Sequence, residues 1–217
     1  KYIFNKYPLI FKLLPLIIFL VIFSRGFHPA RLFVAAMISI AYVIVLFVHF
    51  TSNYKYRRRL SLVTRNVKIG RSTKIWNLTY IGKNSTIGDN TIIGSLSHID
   101  YSVKIGNNCN IEGSVYIPPL TIIGDNVFVG PGVIITNDPF PMSKINKGVN
   151  VEDNVTIGAG AIIKAGVTIK KNSVIGMGSI VTKDVPSDSV IYGNPAKIKY
   201  TKNEYLKKKV KWETTQK

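Results

Sequence analysis

From Val63 onward an aliphatic residue returns at every sixth position. The series runs Val63, Ile69, Ile75, Ile81, Ile87, Ile93, Ile99, Ile105, Ile111, Ile117, Ile123, Val129 and Ile135. After one interruption it resumes at Val151 and continues through Ile157, Ile163, Ile169, Ile175 and Val181. A helix would repeat every 3.6 residues and a half-buried strand every 2, so neither explains the pattern. A fixed period of six is the signature of a parallel β-helix, in which three short faces close one coil of about eighteen residues. The nineteen aliphatic positions predict about six coils, each burying its ladder against the next.

The positions between the aliphatics support that reading. Four places after an Ile or Val comes a small residue, as at Thr73, Thr79, Ser85, Thr91, Ser97, Val103, Cys109, Thr121, Ala161 and Ser179. A narrow coil has room for one large and one small inward side chain per face. Three places after, Asn or Gly recurs, as at Asn84, Asn90, Asn108, Asn126, Gly132, Asn154, Gly160, Gly166, Asn172 and Gly178. These types tolerate the left-handed backbone that a sharp corner needs.

Two apolar runs precede the repeat. Tyr7 to Ser24 is apolar apart from Lys12, and Leu32 to Phe50 contains no Lys, Arg, Asp or Glu. At about 1.5 Å per residue the second run reaches about 28 Å, near the roughly 30 Å of a bilayer core. It is apolar on every face, which favours spanning over a buried hairpin. The expectation is a hairpin of two transmembrane helices over 1–52. Lys1, Lys6, Lys55 and Arg57 to Arg59 outweigh Arg25 and Arg31 in the connection, which predicts a multi-pass chain with its repeat domain in the cytoplasm. A basic juxtamembrane linker (53–62), a repeat domain (63–198) and a basic C-terminal tail (199–217) follow. That tail opens a helix at Thr201, with Glu204 completing a capping box.

The chain carries 29 Lys and Arg against 11 Asp and Glu, a formal net charge of +18. Such an excess points to an anionic partner. No nucleic-acid motif accompanies it, so membrane flanks and a phosphate-rich small molecule account for the charge. One cysteine, Cys109, excludes an internal disulfide. A zinc enzyme on this scaffold would need three His ligands, and His98 is the only histidine after residue 49; no metal site is expected.

Three strings narrow the reading: Ile111-Glu-Gly-Ser-Val-Tyr-Ile-Pro-Pro119, Val129-Gly-Pro-Gly-Val-Ile-Ile-Thr-Asn-Asp-Pro-Phe-Pro141 and Gly193-Asn-Pro-Ala-Lys197. With the period, they make residues 63–200 resemble the hexapeptide-repeat acyltransferases, and most nearly the branch that N-acetylates nucleotide-linked amino sugars; the expected acceptor is an amino sugar on a nucleotide or a lipid. The resemblance implies a left-handed parallel β-helix, a homotrimer, acetyl-CoA as co-substrate and an amino-sugar acceptor in surface polysaccharide or glycan synthesis. A sugar O-acetyltransferase and a non-catalytic scaffold are the alternatives.

Candidate site residues follow from the coil geometry. Ile135 stands sixteen residues before Val151, so ten residues leave the coil as a loop at 137–150. Ile99, Ile117 and Ile135 are eighteen apart and should stack, about 4.8 Å per coil. Their neighbours His98, Asp100, Tyr116, Pro118, Thr136, Asn137 and Asp138 then share one edge. His98 is the candidate general base, and Asp100, Tyr116 and Thr136 the candidate substrate contacts. By resemblance Asn137 and Asp138 occupy the catalytic part of the loop motif, and Glu112 belongs with the substrate contacts. The same resemblance puts acetyl-CoA on Ala159, Gly160, Met177 and Gly178, with Thr182, Lys183 and Lys197 near its phosphates. The loop has no histidine, and an amine needs less help than a hydroxyl to attack a thioester, which favours N-acetylation.

Overall fold

A computed structural model describes residues 61–216. The hairpin expected over 1–52, and all but the end of the linker, lie outside the described residues. Nineteen two-residue strands, from Leu62–Val63 to Ile180–Val181, wind into a parallel β-solenoid. Every third strand joins the same sheet. Sheet A contains His98–Ile99 and Tyr116–Ile117, sheet B Lys104–Ile105 and Ile122–Ile123, and sheet C Asn110–Ile111 and Phe128–Val129. Pairing follows the eighteen-residue offset: Tyr80 pairs with His98, His98 with Tyr116, and Ile99 with Ile117. The offset widens where the loop leaves, with Ile122 opposite Asn150 and Phe128 opposite Thr156.

The solenoid has about seven turns, against the six predicted. The reason lies beyond the last hexad. Ser189–Tyr192 adds to sheet C in parallel, pairing Val190 with Val174, and Val185 bridges Ile169 in sheet B. Lys197–Thr201 then turns back antiparallel. The helix α1, Lys202–Thr215, carries both halves of its capping box: Glu204 N–H donates to Thr201 Oγ1 at 3.3 Å, and Thr201 N–H donates to Glu204 Oε2 at 2.7 Å.

The membrane expectation is corrected here. Among the described residues no helix is long and apolar enough to cross a bilayer. At about 1.5 Å per residue the fourteen residues of α1 reach about 21 Å, short of the roughly 30 Å core, and its sequence is lysine-rich. The expected multi-pass placement with a cytoplasmic catalytic domain is therefore not upheld.

The interior is the aliphatic ladder. Ile81, Ile93, Ile99, Ile111, Ile117, Ile135, Ile157 and Ile163 are wholly buried. Small hydroxyls fill the alternate inward positions and donate to the carbonyl fifteen residues ahead. Ser85 Oγ–H reaches Asp100 O at 2.9 Å, Thr91 Oγ1–H Gly106 O at 2.9 Å and Ser97 Oγ–H Glu112 O at 3.0 Å. Cys109 Sγ does the same to Gly124 O at 3.1 Å. In the last coils the buried Ser179 hydroxyl instead donates three residues back, to Gly176 O at 2.6 Å, and Ser173 does the same to Lys170 O; only the buried Thr121 hydroxyl, among the described residues, has no partner. By the rule of the earlier coils it would reach Thr136, where the loop departs and the coil geometry ends.

The corners are less selective than the sequence suggests. Leu78, Leu96, Leu120, Ser72, Ser102 and Ser114 hold positive φ between 56° and 65°, in line with the Asn and Gly corners. For an L-residue that conformation costs about 1 kcal/mol or more. Stacked neighbours over-determine each corner: Leu96 N–H donates to Asn77 O at 3.1 Å, and Ser114 N–H to Ser95 O at 2.9 Å.

Candidate functional site

Three seams run along the prism where the sheets meet. We number as first the seam that joins sheet C to sheet A, as second A to B and as third B to C. The outward residues of sheet A are Leu62, Tyr80, His98, Tyr116, Ile134, Ile162 and Ile180, none of them carboxylate, Lys or Arg. Because outward residues eighteen apart stack, Tyr80, His98 and Tyr116 form one aromatic column. The His98 ring lies 4.5 Å from Tyr80, nearly parallel, and 5.6 Å from Tyr116, tilted by 45°. The stack fixes the plane of an exposed imidazole, a useful property in a proton acceptor.

Asp100 stands at the second seam, two residues beyond His98. Tyr116 Oη–H donates to Asp100 Oδ2 over 3.5 Å, a weak bond. Burial pushes the Tyr116 phenol above its ordinary value, and the Asp100 charge adds to the shift. Beside this column opens a cavity of about 570 Å³ lined by Tyr80, Tyr101, Arg65 and Lys83. Tyr80 was legible as the position eighteen before His98; the cations of the adjoining seam carried no pattern to find them by.

The other sequence candidates divide. Thr136 is half-buried, and its hydroxyl is engaged by the coil: it donates to Ile163 O at 3.1 Å and accepts from Ala165 N–H at 2.9 Å. Asp138 holds the loop in shape, accepting from Phe140 N–H at 2.9 Å and Ser143 N–H at 3.0 Å. Asn137 closes the loop's neck through its carbonyl, which accepts from Lys147 N–H at 2.7 Å. These residues share the second seam with Asp100, two strand spacings or about 10 Å along it. Glu112 does not join them. It sits at the first seam, and its Oε1 accepts from Asn110 Nδ2–H on the outer face of sheet C at 2.8 Å.

The first seam changes character along its length. In the early coils it reads Trp76-Asn77-Leu78, Gly94-Ser95-Leu96 and Glu112-Gly113-Ser114; in the late coils it reads Gly130-Pro131-Gly132, Gly158-Ala159-Gly160 and Gly176-Met177-Gly178. A Cβ built on Gly132, Gly160 or Gly178 would meet nothing within 4 Å. Leu78 and Leu96 show that the corner conformation does not by itself demand glycine. The late seam is thus bare toward the outside. Among the described residues, neither Ala159 N–H nor Met177 N–H has an acceptor. Met177 is 81% exposed.

Ala159, Gly160, Met177 and Gly178 therefore lie on one strip that is bare apart from the exposed Met177 side chain. Lys197 is at the end of that strip, since Ala196 N–H donates to Ile180 O at 2.8 Å and so carries the chain across the seam. Thr182 and Lys183 follow Ile180–Val181 and stand at the second seam, across sheet A. One copy of the chain does not bring them to the glycine strip.

The repeats match two family models. Residues 66–100 and 102–137 match the bacterial transferase hexapeptide (six repeats), and 148–183 the hexapeptide repeat of succinyl-transferase. A curated relative, galactoside O-acetyltransferase of Lactococcus lactis, is 36% identical over 83 residues, which is 35% of this chain and 40% of the relative. Among solved structures, PerB from Caulobacter crescentus, in complex with CoA and GDP-perosamine, is 25% identical with a TM-score of 0.45 over 64% of this chain and 54% of that one. WeeI from Acinetobacter baumannii is 27% identical with a TM-score of 0.43 over 63% and 57%. The matched region thus spans less than two thirds of each of these relatives.

Proposed function

We propose that this chain, whose solenoid is built from hexapeptide repeats of the acyltransferase family, transfers an acetyl group from acetyl-CoA to the amino group of a sugar carried on a nucleotide or lipid. The observation that carries the reading is the bare late half of the first seam. A pantetheine arm is long, thin and amide-bearing. It fits a strip where Gly132, Gly160 and Gly178 present no side chain and the Ala159 and Met177 N–H groups are free to donate. Lys197 at the strip's end supplies a cation for the donor's phosphates. A homotrimer in which one copy's loop lies against the next copy's strip brings Asn137, Asp138, Thr182 and Lys183 to the same donor.

In the reaction the neutral amine attacks the thioester carbonyl and forms a tetrahedral oxyanion. A seam N–H stabilises that charge, and collapse expels the CoA thiolate as the amine loses its proton. His98, held by Tyr80 and Tyr116, accepts the proton. O-acetylation is the second reading, favoured by the curated relative's name. The two differ in their need for a base. Labelled acetyl-CoA offered with amino-sugar nucleotides and with galactosides should label the amine alone. On the amine, His98→Ala should lower kcat by about tenfold, less than the 10²–10⁴ range typical for loss of a required base. Label on a hydroxyl, with a loss of about 10³-fold or more, makes the O-acetyl reading correct. Label on neither acceptor class rejects both.

A further inference from the structure

The early half of the first seam holds a second cavity, of about 400 Å³, on the sheet C side. We propose that it is a saccharide subsite, taking a pyranose ring between Trp76 and Glu112. Trp76 is 55% exposed, yet its backbone is pinned. Its N–H donates to Ile93 O at 2.9 Å, and its carbonyl accepts from Ser61 Oγ–H at 2.7 Å and Thr79 Oγ1–H at 2.8 Å. A large aromatic ring held out from a rigid corner is a preorganised platform. Glu112 lies two coils further on, about 10 Å away by strand spacing. Between them is Gly94, where an added Cβ would come within 2.4 Å of Gly113 N, so the floor stays bare. Asn110 Nδ2–H anchors one oxygen of Glu112, which lines the cavity, and the other oxygen has no hydrogen bond among the described residues; Lys74 and Ser95 complete the polar rim.

That combination is chemically selective. A pyranose offers a face of C–H groups, which an aromatic π-face attracts, and hydroxyls on its edge, which a carboxylate and an amide bind. Glu112 gives the floor a negative group, which disfavours a phosphate or a second carboxylate there. The subsite lies across the first seam from His98, on a different sheet. It therefore takes the part of a saccharide remote from the reacting group. In that respect it rests on the proposed function, although the binding itself requires no acetyl transfer.

The chain has two tryptophans, so in a Trp212→Phe variant of the full chain Trp76 alone reports. Titration with chitobiose or lactose should change its fluorescence and saturate in the millimolar range, about −4 kcal/mol of binding. Adding Glu112→Ala should weaken that binding about tenfold. With a disaccharide acceptor, Trp76→Ala should raise its KM about tenfold and leave kcat and the KM for acetyl-CoA alone. A Trp76 signal that stays flat in either sugar up to about 50 mM, or that saturates equally with uridine, overturns the subsite. Saccharide binding without acetyl transfer rejects the proposed function and keeps the subsite. Acetyl transfer with a flat Trp76 signal does the reverse.

Discussion

The two halves of the first seam have the same backbone and opposite surfaces. Leu78 and Leu96 turn their corners at φ of 60° and 63°; Gly132, Gly160 and Gly178 turn theirs at 65° to 69°. The inside is equally alike, with Ile81 and Ile163 both wholly buried. Outside, the early half presents Trp76, Leu96 and Glu112, and the late half presents glycines with Pro131, Ala159 and one long side chain, Met177. The difference shows that the solenoid's interior and its corner geometry leave the outer residue free. What occupies that position answers to something other than folding. The same holds across faces: sheet A is neutral outward, whereas sheet B carries Lys68 and Lys104.

The sharpest way to break this comparison is to make the late seam like the early one. Gly160→Leu should cost only about 1–2 kcal/mol of stability, since leucine already turns two corners of this seam. It should weaken CoA binding by about 100-fold, or about 2.7 kcal/mol, by filling the strip. Calorimetric titration with CoA beside a thermal melt checks both. A variant that binds CoA normally would show that the bare strip is unused, and one that unfolds would show that the corner does require glycine.

A smaller effect concerns the loop that departs from the second seam. The orphaned Thr121 hydroxyl is wholly buried, and leaving such a group unpaired costs about 1–3 kcal/mol. Thr121→Val should therefore raise stability by about 1 kcal/mol, whereas Ser97→Ala, which removes a satisfied hydroxyl, should lower it by a similar amount. Denaturant melts of the two variants should move in opposite directions. A shared direction would mean that the loop exit satisfies Thr121 after all.

The smallest effect is electrostatic. Burial, then the Asp100 charge, raises the Tyr116 phenol above 10. A raised folded value favours the protonated form, so the contribution is fully present below pH 10 and is lost as pH climbs through the shifted value. Tyr116→Phe should remove from an ultraviolet titration a phenol that ionises above its ordinary value, and flatten the alkaline fall in stability. Asp100→Asn should move that phenol's titration down.

The period of six was enough to determine the solenoid, the eighteen-residue stacking, the inward ladder and the length of the extruded loop. Each depends on burial, and burial is written in residue type: Ile99 and Ile117 pair because both must leave water. The capping box at Thr201 and Glu204 was legible for a similar reason, since it is local. Candidate chemistry was legible only in part. The edge containing His98, Asp100 and Tyr116 followed from stacking, but Glu112 went to another seam, Thr136 to backbone bonds and Asp138 to the loop's own turns. A seventh turn, the leucine corners and the orphaned Thr121 hydroxyl also appear only once the coils are stacked. These features depend on which neighbour each polar group meets, and that is decided between residues 15, 18 or 28 apart. A repeat names the residues that face inward. The partners of those that face outward are set by the winding itself.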